Sequence, residues 1–179
     1  MQRSLVVGSG SMAKRHIRNL RYLYPGMEIT CVSASGRRLE PSEVGATTVC
    51  NSIEQAVEAP VTFAIVASPA SLHLANLQKL VTANIPVLVE KPLSHDLQEL
   101  AKYDFSNAKN KIGVAYNLRY MPSANKVKHI ISDRVLGRLN NVQIECGQYL
   151  PDWRPGTDYR QSVSAQKKLG GGALLELSH

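Results

Sequence analysis

The first residues of the chain constrain its fold more than any other segment. A short apolar run at residues 3–7 leads without a gap into a glycine turn at residues 8–13, and residues 12–24 have the pattern of a helix. A strand, a G-x-G-x-x-A turn and a helix in this order are typical of a dinucleotide-binding unit. Glycine turns also serve as plain connections, but the flanking elements favour a nucleotide site.

Each small residue of this turn has a physical task. Gly8 allows the tight turn after the strand, Gly10 lets a pyrophosphate approach the backbone, and Ala13 lets the helix pack close to the sheet. The free N–H groups and the positive dipole end at the start of the helix favour phosphates. We therefore predict cofactor contacts along the whole turn, at Gly8, Ser9, Gly10, Ser11, Met12 and Ala13.

Strand and helix patterns alternate regularly as far as residue 131. We expect strands at about residues 4–7, 28–33, 47–50, 62–67, 86–90 and 111–115. We expect helices at about residues 12–24, 52–58, 71–83, 97–108 and 122–131. The apolar runs at residues 61–67 and 87–89 are continuous, as in strands that are covered on both faces. The fold class is therefore predicted as α/β, a doubly wound parallel Rossmann sheet followed by the truncated start of a second α/β domain.

The pattern changes after Val135. Residues 137–150 alternate like one long strand, an irregular stretch follows, and a helix begins after the triple glycine at residues 170–172. One strand, one loop and a helix start do not make a core. We therefore place a dinucleotide-binding domain at residues 1–118 and the start of a substrate domain at residues 119–179, and we expect a truncated chain.

Composition excludes several classes of protein. No apolar run is long enough to span a bilayer, and the N-terminus lacks a secretory pattern. The three cysteines are scattered without C-x-x-C spacing, which favours reduced thiols in a cytoplasm over a zinc site. The net charge is +7, but the basic residues are spread along the chain, so we expect no nucleic-acid partner and consider that the charge suits an anionic ligand.

The residues after the second predicted strand bear on cofactor choice. Ligands of an open parallel sheet bind beyond the carboxyl ends of its strands, and an NAD site usually carries Asp or Glu here. This chain has Ser33, followed by Arg37 and Arg38. A hydroxyl and a guanidinium suit a 2′-phosphate, so we predict a preference for NADP over NAD, although both arginines could be solvated loop charges.

The ends of the later strands supply further candidates. Ser68 and Pro69 follow the fourth strand, and His73 falls in the first turn of the next helix, where it would face the cleft or solvent. Lys91 follows the fifth strand; lysine is a good general acid or base at such a position, and a salt bridge is the alternative. Asn117 follows the sixth strand and could bond a nicotinamide amide, a substrate hydroxyl or only the loop backbone.

Five motifs in order resemble the family of glucose–fructose oxidoreductase, inositol dehydrogenase and MocA. They are G-x-G-x-x-A from Gly8, S-P-x-x-x-H from Ser68, E-K-P from Glu90, Y-N-x-R-Y from Tyr116, and G-G-G-A-L-L-E from Gly170. The resemblance implies an NAD(P)-dependent oxidoreductase of sugars, cyclitols and their derivatives. Beyond the glycine turn, the predicted cofactor-binding residues are Ser33, Arg37, Arg38, Ser68, Pro69, His73, Glu90, Lys91 and Asn117.

The resemblance also implies catalytic roles. Lys91 would move the proton of the reacting carbonyl or hydroxyl, and the Lys91–Pro92 bond would be cis. Relatives often carry D-x-x-x-H on the helix after the triple glycine. Here Glu176 and His179 are one residue closer together, so either could fill those roles.

The loop at residues 149–160 is similar to relatives associated with bacterial surface sugars, including nonulosonate-type acids. This likeness implies an amino-sugar or nucleotide-sugar substrate, with Lys91 at the reacting group and Arg154, Tyr159 and Arg160 as anion contacts. The complete protein would be a homo-oligomer through its second domain. Two other functions remain open at this stage: a nucleotide-binding module or fragment without catalysis, and a nucleic-acid binder driven by charge.

Overall fold

A six-stranded parallel sheet organises the computed structural model, which describes residues 2–153 and 155–177, with only the backbone of residues 109, 110 and 176. The strands are β1 (Arg3–Val7), β2 (Glu28–Val32), β3 (Thr48–Cys50), β4 (Phe63–Val66), β5 (Val87–Val89) and β6 (Ile112–Val114). Their order is β3-β2-β1-β4-β5-β6, and each neighbouring pair is parallel. The predicted α/β fold is confirmed, and the strand order reverses between β1 and β4, where such sheets bind ligands.

Helices connect these strands and continue after the sheet. They are α1 (Ser11–Leu23), α2 (Pro41–Val44), α3 (Ile53–Ala56), α4 (His73–Thr82), α5 (Leu97–Leu100), α6 (Pro122–Ser132) and α7 (Ala173–Leu177). The sequence did not indicate α2, because a single turn is too short to show a periodicity. It is bounded by Pro41 at its first turn and by Gly45, whose φ of 76° caps the helix in the left-handed region.

The core lies on both faces of the sheet. On one face Leu5 and Val7 pack with Leu77 and Leu80 of α4. On the other face Val6 packs with the buried side of α1. Successive side chains of a strand point to opposite faces, so β1 contributes to both layers. Burial of a single leucine such as Leu77 stabilises the fold by about 1.5–3 kcal/mol.

Two predicted elements are wrong. The helix expected at residues 97–108 ends at Leu100. Further along, the carboxylate of Asp104 accepts the backbone N–H of Ser106 at 2.9 Å, and a 3-10 segment follows instead of a continued α-helix. The strand expected at residues 137–150 is irregular, and Ile144 is 86% exposed. A strand needs a hydrogen-bonded neighbour, and in the described part of the chain none pairs with it. The helix start after the triple glycine is confirmed as α7.

No helix in the described ranges has the length and apolar character needed to cross a bilayer.

Candidate active site

A cleft of about 450 Å³ opens at the carboxyl ends of β1, β4 and β5. The register pairs Val7 with Val66 and Val66 with Val89, so the three strands end at one edge of the sheet. The cleft is lined by residues 8–12, 34–35, 67–70, 90–92, 163–164 and 170. The structure thus brings together the glycine turn, the S-P motif and the E-K-P motif, which are far apart in the sequence.

Gly8 fixes the glycine turn to the strands around it. Its N–H donates to the carbonyl oxygen of Val32 at 2.8 Å, and its own carbonyl accepts the thiol of Cys31 at 3.2 Å. Its φ is +125°, and a Cβ at this position would lie 2.5 Å from the carbonyl oxygen of Ala67. Only glycine tolerates both this backbone conformation and this close approach.

Gly10 leaves the start of α1 open. It is the N-cap residue with a φ of −76°, and a Cβ here would meet no atom within 4 Å. No side chain caps the helix, and its first turn holds no acidic residue. The open space and the uncapped N–H groups fit the pyrophosphate of a dinucleotide. Ser9, Ser11 and Met12 line the cleft beside it, whereas Ala13 is fully buried and supports the turn by packing rather than by lining the cleft.

An ion pair between His16 and Glu90 borders the cleft, and the sequence analysis missed His16. Its Nε2 lies 2.7 Å from Oε1 of Glu90, and both side chains are largely buried. Burial acts to raise the pKa of Glu90, but the hydrogen bond and charge of His16, together with Lys91, bring this pKa below its usual value. His16 follows Ala13 by three residues on α1, so helical spacing from a buried position could have indicated it.

Lys91 lines the cleft directly after Glu90. Its backbone N–H donates to Oε2 of Glu90 at 3.3 Å, and the Lys91–Pro92 peptide bond is cis, as the family resemblance implied. Lys91 is half-buried at the edge where three strands end. This position gives a proton-transferring group access to a ligand in the cleft.

His73 faces neither the cleft nor solvent, so that prediction is wrong. The residue is 1% exposed and begins α4. Its Nδ1 lies 2.7 Å from the carbonyl oxygen of Pro92, and its Nε2 lies 2.8 Å from that of Ser68. Burial lowers the pKa of His73, while the two carbonyl contacts and nearby Glu90 act in the opposite direction.

Serine hydroxyl groups follow β2 at the position where an NAD site usually carries Asp or Glu. Oγ of Ser33 lies 3.2 Å from Oγ of Ser35, and Ser35 lines the cleft. Arg37 lies outside the cleft lining and contacts the exposed Glu43, with 2.9 Å between Nη2 and Oε2. Arg38 is exposed and does not line the cleft as the described residues define it.

The C-terminal turns contribute to one side of the cleft; the resemblance implied that the segment of the triple glycine approaches the cleft, but not that the turns before it do. Val163, Ser164 and Gly170 belong to its lining. A Cβ on Gly170 would lie 2.7 Å from that of Ala70, and one on Gly171 would overlap the carbonyl of Val163. The triple glycine therefore allows this segment to approach the S-P motif closely. No local pattern indicates that contact, because it joins residues 100 positions apart.

The remaining candidates lie away from the main cleft or outside the described residues. Asn117 is exposed in a 3-10 turn and does not belong to the described lining. Tyr159 lines a smaller cavity that shares Ser164 with the cleft, and the guanidinium of Arg160 lies 5.7 Å from the centre of its ring. Arg154, His179 and the side chain of Glu176 lie outside the described residues.

The strand order, the glycine turn and the switch-point cleft define a nucleotide-binding α/β domain. The sequence model of the oxidoreductase family GFO_IDH_MocA, with an NAD-binding Rossmann fold, matches residues 2–117. The chain belongs to this oxidoreductase family, and its Rossmann domain is of the NAD-binding type.

Relatives and solved structures agree with this assignment. The chain is 26% identical over 144 residues to inositol 2-dehydrogenase of Pseudarthrobacter chlorophenolicus, covering 76% of this chain and 43% of the relative. Its fold is similar to that of scyllo-inositol dehydrogenase from Lactobacillus casei, which was solved with bound NAD(H) and scyllo-inositol. The TM-score is 0.65 and the identity 19%, and the match covers 76% of this chain and 42% of that chain.

A second solved structure has a different ligand. It is the WlbA dehydrogenase of Chromobacterium violaceum in complex with NADH and UDP-GlcNAcA, with a TM-score of 0.63, 20% identity, and coverage of 76% and 41% of the two chains. The chain spans 26% to 44% of the length of the curated relatives it matches.

Proposed function

We propose that this chain forms the cofactor-binding part of an NAD(P)-dependent dehydrogenase that acts on a sugar or sugar derivative. Residues 1–118 would bind the dinucleotide, and residues 119–179 would begin the substrate domain. One observation carries the proposal: the glycine turn and Lys91 line the same cleft at the switch point of the sheet. We further propose a cytoplasmic homo-oligomer for the complete protein.

The residues of the cleft have two proposed roles, cofactor binding and proton transfer. The turn at residues 8–12 holds the pyrophosphate through backbone N–H groups, and Gly10 keeps the approach open. When bound, the nicotinamide supplies or accepts the hydride. Lys91 gives or takes the proton of the reacting oxygen, next to a Glu90 that His16 holds in place.

We propose a cyclitol, sugar or anionic sugar derivative as the substrate class. Family relatives are named as inositol dehydrogenases, and one neighbouring fold is solved with a UDP-linked sugar acid. In this chain the net charge of +7 favours an anionic ligand. The guanidinium of Arg160 lies over the ring of Tyr159, which lines the smaller cavity together with Ser164. Arg154, Tyr159 and Arg160 are the proposed anion contacts, with Glu176 or His179 assisting Lys91.

We propose that NADP is preferred over NAD. The end of β2 offers the hydroxyl groups of Ser33 and Ser35 and no carboxylate, so a 2′-phosphate meets no like charge there. Arg38 is exposed two residues after Gly36, and we propose that it contacts the 2′-phosphate of NADP. Arg37 would first have to break its ion pair with Glu43.

Fluorescence titration of this chain with NADPH and NADH tests both the domain function and the preference. We expect NADPH to bind at least tenfold more tightly than NADH. Arg38→Ala should weaken NADPH binding about fivefold and leave NADH unchanged, with the exposed Arg138→Ala on a distant segment as the matched control. The NADP preference would be refuted if the wild-type chain bound NADPH and NADH equally well and Arg38→Ala changed neither affinity. The domain function would be refuted if neither cofactor bound.

A binding module without catalysis is the second candidate. The observation that favours it is that the family match at residues 2–117 is to an NAD-binding Rossmann fold. Mixing the chain with NAD⁺ or NADP⁺ and a panel of cyclitols and sugars, and following absorbance of the reduced cofactor, separates the two. Tight cofactor binding without any turnover would favour the module for this chain.

A further inference from the structure

A single buried imidazole joins two neighbouring loops that both line the cleft. Ser68 follows β4 and Pro92 follows β5, and the carbonyl oxygens of both lie within hydrogen-bonding distance of the ring nitrogens of His73, at 2.8 and 2.7 Å. The two strands are parallel neighbours, so these loops leave the sheet side by side. Only the ring of His73 provides a described side-chain bridge from one loop to the other.

We infer that His73 is a positioning residue, which holds the Lys91-Pro92 segment beside the Ser68-Pro69 segment and so fixes the place of Lys91 in the lining of the cleft. This inference rests on the proposed function for its catalytic consequence. His73 itself is 1% exposed and is not among the residues that line the cleft. Its effect on Lys91 passes through the carbonyl group of the very next residue, Pro92.

The helix that carries His73 is a suitable anchor. α4 packs into the core through Leu77 and Leu80, both fully buried, so its first turn is fixed relative to the sheet. One turn after His73, the side-chain amide of Asn76 donates to Oγ of Ser68 at 3.2 Å. Two side chains on one face of α4 therefore hold the Ser68 loop, while only the imidazole also reaches the Pro92 loop.

The chemistry of the ring explains why histidine suits this place. Imidazole places two nitrogens on opposite edges of a rigid plane, and each can meet a separate carbonyl. The protonated ring donates to both acceptors, and the neutral ring donates to one. A phenyl ring of similar size fills the same space but leaves two buried carbonyl oxygens without this donor, which is costly in an apolar site.

Three variants of the full chain separate positioning from general stability. His73→Phe removes both ring nitrogens and keeps an aromatic ring, and His73→Gln retains an amide donor and serves where the first variant fails to fold. Leu77→Ala is the matched control, because it weakens the same helix from the core and leaves the ring nitrogens of His73 in place. Amide hydrogen exchange is followed by mass spectrometry in peptides covering residues 66–72 and 90–95, and NADH binding is measured by fluorescence.

We expect exchange in both peptides to be at least tenfold faster in His73→Phe than in Leu77→Ala at equal global stability. NADH should bind at least tenfold more weakly to His73→Phe and within twofold of wild type to Leu77→Ala. The inference would be overturned if both peptides exchanged their amide hydrogens as slowly in the two His73 variants as in Leu77→Ala, whatever the measured affinity for NADH. If the unaltered chain binds neither NADH nor NADPH, the proposed function fails, and the exchange data alone decide whether His73 positions the loops.

Discussion

The two glycines of the first turn give a sharp test, because the structure assigns them different tasks. Gly8 has a φ of +125°, and a Cβ there would lie 2.5 Å from the carbonyl oxygen of Ala67. Gly10 has an ordinary φ of −76° and open space where a Cβ would point. Gly8→Ala should therefore damage the fold, whereas Gly10→Ala should damage cofactor binding with little effect on stability.

The magnitudes follow from these geometries. A residue with a Cβ in the conformation of Gly8 costs about 1–3 kcal/mol, and the overlap with Ala67 adds about 1–3 kcal/mol of overpacking. The sum, roughly 2–6 kcal/mol, is a large part of the total stability of a domain, which is about 5–15 kcal/mol. Alanine at the N-cap position of Gly10 costs only about 1 kcal/mol, because the open space permits the methyl group.

Urea unfolding followed by circular dichroism measures the first effect, and fluorescence titration with NADH and NADPH measures the second. We expect Gly10→Ala to weaken cofactor binding at least tenfold, because the methyl group occupies the approach of the pyrophosphate. Gly26→Ala, at another open glycine outside the cleft, is the control for binding. Wild-type affinity in Gly10→Ala would refute the phosphate cradle, and unchanged stability in Gly8→Ala would refute the assigned packing.

Three further predictions concern the cleft and the thiols. Lys91→Met should abolish any turnover but leave cofactor affinity within a few-fold by fluorescence titration, since the proposed role of Lys91 is proton transfer; undiminished turnover would exclude that role. The pKa of Glu90 is lowered in the folded chain. Its contribution to the free energy of unfolding is therefore fully present at pH values above its ordinary pKa of 4.5 and is lost as the pH falls through the folded pKa. Urea unfolding from pH 7 to pH 3 should therefore show a smaller loss of stability in Glu90→Gln than in wild type, and equal losses would contradict the contribution of the pair with His16. Burial raises the pKa of Cys31 to about 11 from 9.0, so its thiolate is about a hundredfold scarcer. A colorimetric thiol reagent should label exposed Cys146 first and Cys31 only on unfolding.

The sheet could be predicted from the sequence because its signals are local. Continuous apolar runs mark β4 and β5, and the glycine turn marks the passage from β1 to α1. The failures have a local cause as well. Residues 137–150 alternate like a strand, but alternation specifies only which face is apolar and not whether a partner strand is present. The pattern at residues 97–108 was interrupted by a side chain, Asp104, that competes for backbone N–H groups.

The site could be predicted only in part, for a related reason. The ends of parallel strands meet at one edge, so placing Ser68, Glu90 and Lys91 together needed only the fold class. The partners that hold them come from elsewhere in the chain. His16 lies 74 residues before Glu90, and the C-terminal turns that carry Ser164 fold back over the cleft. Such contacts depend on tertiary packing, which no spacing rule within one element reports.

His73 shows how a motif can be recognised and still be given the wrong task. Its position six residues after the end of the apolar run suggested a side chain that meets the ligand, yet the ring lies behind the cleft, on two carbonyl groups. The same buried geometry explains why it belongs with the motif, since a residue that fixes both the Ser68 and Pro92 loops affects every ligand contact made from them. Three described side chains surround the backbone of Lys91. Glu90, which lines the cleft, accepts its backbone N–H; His16 contacts Glu90; and His73 contacts the carbonyl oxygen of Pro92. A substitution at His16 or His73 should therefore alter Lys91-dependent chemistry without removing a group that touches the ligand.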